Sequence, residues 1–166
     1  MTSVGVRAAI IASMSSCVIA GPLRAQTTTL AITSGSASTF AQPTLADYVT
    51  GYVDGPTITF TVSLVGGAAG ATHTTTVEVC ATSGNLGSGK SLSKLLWQPS
   101  DGSKPWQSIT NGCNGPVKAS RTVGAQSLAN GGSWSGGVRL RMVLDWTDTA
   151  PAYGTTMGMT VAVSTP

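Results

Sequence analysis

Along residues 57–65 apolar and polar side chains alternate without a break: Ile58, Phe60, Val62 and Leu64 against Thr57, Thr59, Thr61 and Ser63. Successive side chains of a strand leave opposite faces, so this period of two predicts a half-buried strand in an antiparallel sheet. Residues 74–81 repeat the pattern, with Val77 and Val79 inward and Thr76 and Glu78 outward. They are expected to pair with the first strand as a hairpin across the flexible 66–70 turn. Residues 134–146 carry a second strong pattern, with Val138, Leu140, Met142, Leu144 and Trp146 inward and Arg139, Arg141 and Asp145 outward. Residues 155–164 close the chain with Met157, Met159, Val161 and Val163 on one face.

The weaker stretches fill in around these. Residues 27–33 alternate and read as a short strand with Leu30 and Ile32 on one face, followed by a Gly/Ser linker at 34–38. Residues 43–55 read as an irregular or edge segment, with turn signals at both ends. Residues 91–97 fit a helical turn or a short strand, and 95–98 is expected to pair with 106–110 across the Asp101-Gly102-Ser103 turn. Residues 116–123 make a weaker strand. About seven or eight strands and no long helix predict an all-β protein, a single antiparallel β-sandwich of immunoglobulin-like or pilin-like type.

Composition agrees with that class. Only 9% of residues are charged, and 21 glycines and 8 prolines supply turns. The polar surface must come from Thr, Ser, Asn and Gln, and strands so weakly charged are poorly defended against edge-to-edge pairing.

The first 25 residues change the picture of where the protein works. Arg7 is the only charge before an apolar run over 8–20, which Gly21-Pro22 breaks ahead of Leu23-Arg24-Ala25. A basic start, a short apolar stretch and a small residue before the cut predict a secretory signal peptide over 1–25. That leaves an N-terminal strand and linker at 26–42 and a β-sandwich domain at 43–166. The run is too short to span a bilayer comfortably, so no membrane span is expected in the mature chain. Arg7 and Arg24 leave with the leader, so of 9 basic residues seven remain against 6 acids and the mature net charge falls close to neutral. The lysines are scattered and only Arg139 and Arg141 sit close together, which is no nucleic-acid footprint. Cys17 also leaves. An exported chain with two remaining thiols, Cys80 and Cys113, is expected to join them in one disulfide, stabilising the fold by roughly 3–4 kcal/mol on the chain-entropy model.

One set of motifs carries a resemblance. Pro43-Thr44-x-Ala46-Asp47-Tyr48-x-x-Gly51-Tyr52-Val53, then Leu95-Leu96-Trp97, then Asp148-Thr149-Ala150-Pro151-x-Tyr153-Gly154-Thr155 before a final Thr/Val strand resembles small secreted bacterial β-sandwich proteins. These are distantly similar to spore-coat-U-like and fimbrial subunit domains. The likeness covers most of 43–166 and implies a fold; its motifs are not catalytic.

Catalytic inventories are thin. His73 is the single histidine and reads as an exposed turn residue, with no nucleophile elbow to recruit it. A catalytic zinc normally needs three protein ligands, so no metal and no cofactor are expected. Of the six acids, Asp101 reads as a turn residue, Glu78 as an outer strand residue, and Asp47 and Asp54 as loop flanks. Asp145 and Asp148 bracket a strand end, where calcium would need further ligands. Gly84-x-x-x-x-Gly89-Lys90-Ser91 matches the spacing of a phosphate-binding loop, but that loop needs a buried parallel strand before it and a helix after it. No enzymatic activity is expected.

Two candidates remain. Trp97, Trp106 and Trp134 lie near turns or strand ends and form a candidate stacking platform for a surface glycan, with Trp106 the one expected to be exposed and Trp146 in the core. The N-terminal strand, with Thr29, Leu30 and Ile32, is a candidate assembly strand that either folds back or adds to a neighbour's open sheet edge. The sequence therefore points to a secreted or periplasmic, cell-surface structural or adhesive subunit that associates with itself as an oligomer or filament. The alternative is a carbohydrate-binding module using the tryptophans.

Overall fold

The computed structural model describes residues 26–34, 37–66, 70–82, 86–87, 89–109, 111–112, 121–148 and 153–164. The predicted leader and Cys113 lie outside them.

The described chain is mostly strand. β1 (Thr27–Ser34) and β2 (Ala37–Thr39) lead into a short helix α1 (Leu45–Thr50), followed by β3 (Tyr52–Val65) and β4 (Thr72–Ala81). A 3-10 turn at Leu92–Lys94 precedes β5 (Leu95–Pro99), and β6 (Gln107–Ser108), β7 (Thr122–Ala129), β8 (Ser133–Val143) and β9 (Gly154–Ser164) complete the order. They form two antiparallel sheets, a five-stranded one ordered β1-β3-β8-β5-β6 and a four-stranded one ordered β2-β9-β4-β7.

The alternation along β3 does what it predicts: Ile58, Phe60, Val62 and Leu64 are buried. They meet Val138, Leu140 and Met142 of β8, Leu95 and Trp97 of β5, and Val77 and Val79 of β4 in one hydrophobic cluster fed by both sheets. Burying such side chains is worth about 1.5–3 kcal/mol each relative to exposure. Glycine makes room for the aromatics in two places. A Cβ on Gly136 would stand 2.7 Å from the Phe60 ring, and one on Gly55 2.5 Å from the Phe40 ring. Gly55-Pro56 is also where the β3–β8 register slips, between Asp54 and Thr57, because proline brings no N–H to the ladder.

Several expectations are corrected here. β4 is not the hairpin partner of β3; it lies in the other sheet, between β9 and β7. Alternation specifies which way side chains face and leaves the neighbouring strand open. The 34–38 linker is partly strand, since Ala37–Thr39 pairs with β9. The irregular 43–55 segment holds α1 and the start of β3. Thr44 caps the helix, with its N–H donating to Asp47 Oδ2 at 2.7 Å and its hydroxyl accepting from the Asp47 N–H, and Gly51 ends it at φ 81°. The Thr44-x-x-Asp47 spacing was the legible sign of this cap. Most of the weak strand expected at 116–123 lies outside the described residues; its last two positions, Thr122 and Val123, open β7.

His73 and Glu78 are corrected as well. His73 sits within β4 rather than in a turn, buried, and neither ring nitrogen has a hydrogen-bond partner among the described residues. Glu78 is not on an open face: from Val77 onward both faces of β4 are covered. Its carboxylate meets the equally buried Arg121 guanidinium at 3.0 Å.

Lys90, which ended the phosphate-loop spacing, is buried and pairs with Asp148 beside the Tyr153 ring. Asp148 also accepts the Asp145 N–H at 2.7 Å, and its carbonyl accepts from the Tyr48 hydroxyl at 2.7 Å, tying the loop after β8 to α1. Burial raises the Asp148 carboxyl, but the Asp145 N–H and the Lys90 ammonium outweigh it and hold the group below its ordinary 3.8. A carboxyl depressed by folding contributes stability that is present above its unfolded value and lost as pH falls through its folded one. Denaturant titrations at a series of pH values should therefore show stability falling below about pH 4. Asp148→Asn should flatten that part of the profile.

Candidate ligand face

The outer face of the five-stranded sheet carries the densest array of polar and aromatic groups that core packing does not claim. Arg139 and Arg141 alternate with Val138, Leu140 and Met142 on β8 and so point away from the core. Register places Asp54 of β3 opposite Arg141, and Gln98 of β5 opposite Arg139. Arg141 donates from Nε and Nη2 to the two Asp54 oxygens, at 2.7 and 3.2 Å. This paired hydrogen bond raises the Arg141 pKa above its ordinary value, against the pull of partial burial. The guanidinium also lies 3.6 Å from the Tyr52 ring centroid and 4.4 Å from that of Trp106. Cation and rings attract through the ring quadrupole, and the flat guanidinium stacks where an ammonium would not.

Trp106 reaches this face because the hairpin after β5 folds back over it. Gln98 Nε2 donates to the Lys104 carbonyl at 2.7 Å, which holds the returning chain beside β5. Leu96 and Trp97 then pair with Ser108 and Gln107 of β6, the short pairing expected across the Asp101-Gly102-Ser103 turn. Asp101 accepts the Ser103 N–H at 2.9 Å, and that bond lowers its pKa.

Arg139 differs from Arg141 in its company. Its guanidinium donates to the Gln98 amide oxygen at 2.7 Å and lies 5.9 Å from the Trp106 centroid. The described residues give it no carboxylate partner within ion-pair distance. Asp54, Gly55, Thr57, Trp106, Arg139 and Arg141 enclose a shallow recess of about 160 Å³.

The structure separates the three candidate platform tryptophans. Trp97 is fully buried at the centre of the core, so its ring cannot stack on a ligand. Trp134 is half-buried, edge-on to Phe60 at 5.3 Å, with its indole N–H donating to Thr75 Oγ1 at 2.8 Å. Trp106 alone of the three stands on the arginine face. Trp146, expected in the core, is 73% exposed and stacks on Tyr48 at 5.8 Å, because β8 ends at Val143 and the chain has already turned. The residues gathered around Arg141 on this face, Tyr52, Asp54 and Trp106, and the neighbouring Arg139 were not grouped by sequence reasoning. The only signal was the outward Arg-x-Arg of β8.

The assembly candidate folds back on its own domain. Thr29, Leu30 and Ile32 pair with Ser63, Val62 and Phe60 of β3, with Leu30 against the core. Ile32 does not share that burial; it is exposed, next to a register slip before Ser34.

Among the described residues no group of three or more His, Cys, Asp or Glu side chains is placed to hold a metal ion. Among the same residues no helix is long and apolar enough to cross a membrane. Comparison with family models, with curated proteins and with solved structures returns no match.

Proposed function

We propose that this protein is an exported, non-catalytic β-sandwich subunit of the cell surface that adheres to acidic glycans through the Trp106 face. The observation that carries the reading is the cation–aromatic array of Tyr52, Arg141, Trp106 and Arg139, in which Arg139 faces a neutral amide and keeps donors for an incoming anion. A uronate ring matches both parts of it. Its C–H face suits the indole, and its carboxylate suits the planar fork of an arginine. Export is supported by the leader-like start and by Cys80, which is disulfide-bonded; the reading assigns Cys113 as its partner. The two sheets with one shared core support the sandwich.

The test is retention on a polygalacturonate or alginate gel beside cellulose. Wild-type protein should be retarded on the acidic gel. Trp106→Ala should bind about tenfold more weakly or worse, as a central aromatic anchor does, while its unfolding midpoint stays close to wild type. Absence of retardation, or retention indifferent to Trp106, defeats the reading.

A second reading, self-association, has its own support. The long outer strands, β1 and β7, each 8 residues, contain neither a charge nor a proline. Natural edges usually carry such guards, and an unguarded edge is a template for another chain. Light scattering across a concentration series should show association that Thr29→Lys on β1 suppresses. A monomer at every concentration removes this reading and leaves the glycan one standing.

A further inference from the structure

β5 and β8 part company early, and the place where they do so is a built cleft. β5 stops at Pro99, opposite Val138, whereas β8 begins at Ser133. Gly137 still accepts the Ser100 N–H at 2.8 Å, but the stretch of β8 before it has β3 as its strand neighbour and, among the described residues, no strand on its other side. Residues two apart in an antiparallel strand present their N–H and C=O to the same side. Ser135 therefore turns its backbone donor and acceptor toward the same opening as Gly137. Across that opening runs β7, the outer strand of the other sheet.

The space between these edges is about 300 Å³, at the small end of ligand pockets, which run from roughly 300 Å³ upward. Its floor is aromatic. The Phe60 ring fills the site where a Gly136 side chain would start, and the Trp134 ring lies 3.2 Å from the corresponding position on Gly124. Those glycines let both rings approach the cleft wall. Trp134 is held by its bond to Thr75 and its edge contact with Phe60, so the surface is preorganised. The rim is polar: Ser100, Asp101, Ser103 and Gln126 supply hydroxyls, a carboxylate and an amide. The lining contains no cation.

We infer that this cleft is a second binding site, separate from the Trp106 face, for one neutral pyranose ring. A sugar presents an apolar C–H face to aromatic rings and a fringe of hydroxyls to polar groups. An ionised carboxylate at the rim is a strong acceptor for those hydroxyls. Asp101 suits that role, because the Ser103 N–H holds its carboxyl below the usual range. An anionic sugar would meet the Asp101 carboxylate at the rim, whose charge Arg139 offsets only in part from outside the lining, and is disfavoured here relative to the Trp106 face. An extended peptide is disfavoured because the free stretch of β8 edge is only a few residues long.

The test is a titration of ¹⁵N-labelled protein with methyl glycosides of glucose, galactose and mannose, and separately with methyl galacturonate and with a Thr/Val hexapeptide. Saturable amide shifts are expected at Gly124, Gln126, Ser135 and Gly136 with at least one neutral glycoside. Asp101→Asn and Gln126→Ala, both exposed positions, should each weaken that binding by about tenfold. Trp106→Ala should leave it unchanged, which separates this site from the acidic-glycan reading in either direction. The inference is overturned if no neutral glycoside gives saturable shifts there, or if both rim variants bind as wild type does. It is equally overturned if the hexapeptide or galacturonate alone binds the cleft.

Discussion

Alanine in place of Glu78 is expected to cost about 3–5 kcal/mol of folding stability, the effect of removing one partner from a buried ion pair. Both side chains are buried, at 2% and 3% exposure, and the charged atoms lie 3.0 Å apart. With the carboxylate gone, the Arg121 guanidinium stays buried without its countercharge. Urea unfolding of Glu78→Ala should therefore show a large fall in midpoint at unchanged slope. Glu78→Gln keeps the volume and removes only the charge, so it should recover little. Glu78→Ala combined with Arg121→Ala should lose less than the sum of the single changes, because the stranded charge is gone. Additive losses would mean that the pair is not coupled, and that Glu78 matters only for the space it fills.

Trp97→Ala is expected to lose about 3–5 kcal/mol through the cavity it leaves in the centre of the five-stranded sheet's inner face. Its indole N–H is buried and has no hydrogen-bond partner among the described residues. Trp97→Phe should consequently cost much less, because the smaller ring also discards a desolvated donor that nothing satisfies. Neither change should alter retention of the folded protein on an acidic polysaccharide. Trp106→Ala is the mirror image, costing little stability and most of the retention. Parallel thermal melts and gel-retardation runs on the three variants separate core from face. If Trp97→Ala lost retention while staying folded, the assignment of Trp97 to the core alone would fail.

The contrast between these two tryptophans shows how much of the site was legible. Trp106 follows Lys104-Pro105 in a hairpin, a local signal of exposure; the structure keeps it off the core but leaves it half-buried, because Arg141 and Arg139 pack against its ring. Trp97 sits in Leu95-Leu96-Trp97, where three apolar residues in a row hide the inward positions. Only the register with Leu140 shows that it points into the core. Trp146 misled for the opposite reason: its spacing continues the inward set of β8, but the strand ends at Val143 and the phase is lost in the turn. Glu78 sat where alternation gives an outward position and looked solvated. Its burial depends on Arg121, 43 residues further along and brought to it by the β4–β7 pairing. A partner at that separation leaves no local mark.

By itself the sequence determined the all-β class and the inward faces of β3 and β8. It also placed the β5–β6 turn and the outward Arg139 and Arg141. These follow from a period of two and from turn chemistry, both written within a few residues. The tertiary structure alone decided that β4 belongs to the other sheet and that β1 closes onto β3. It also gathered Tyr52, Asp54, Trp106 and Arg141, and left a cleft where β5 ends before β8 does. Each of these depends on which strands become neighbours, and pleat periodicity orients a side chain without choosing the strand beside it.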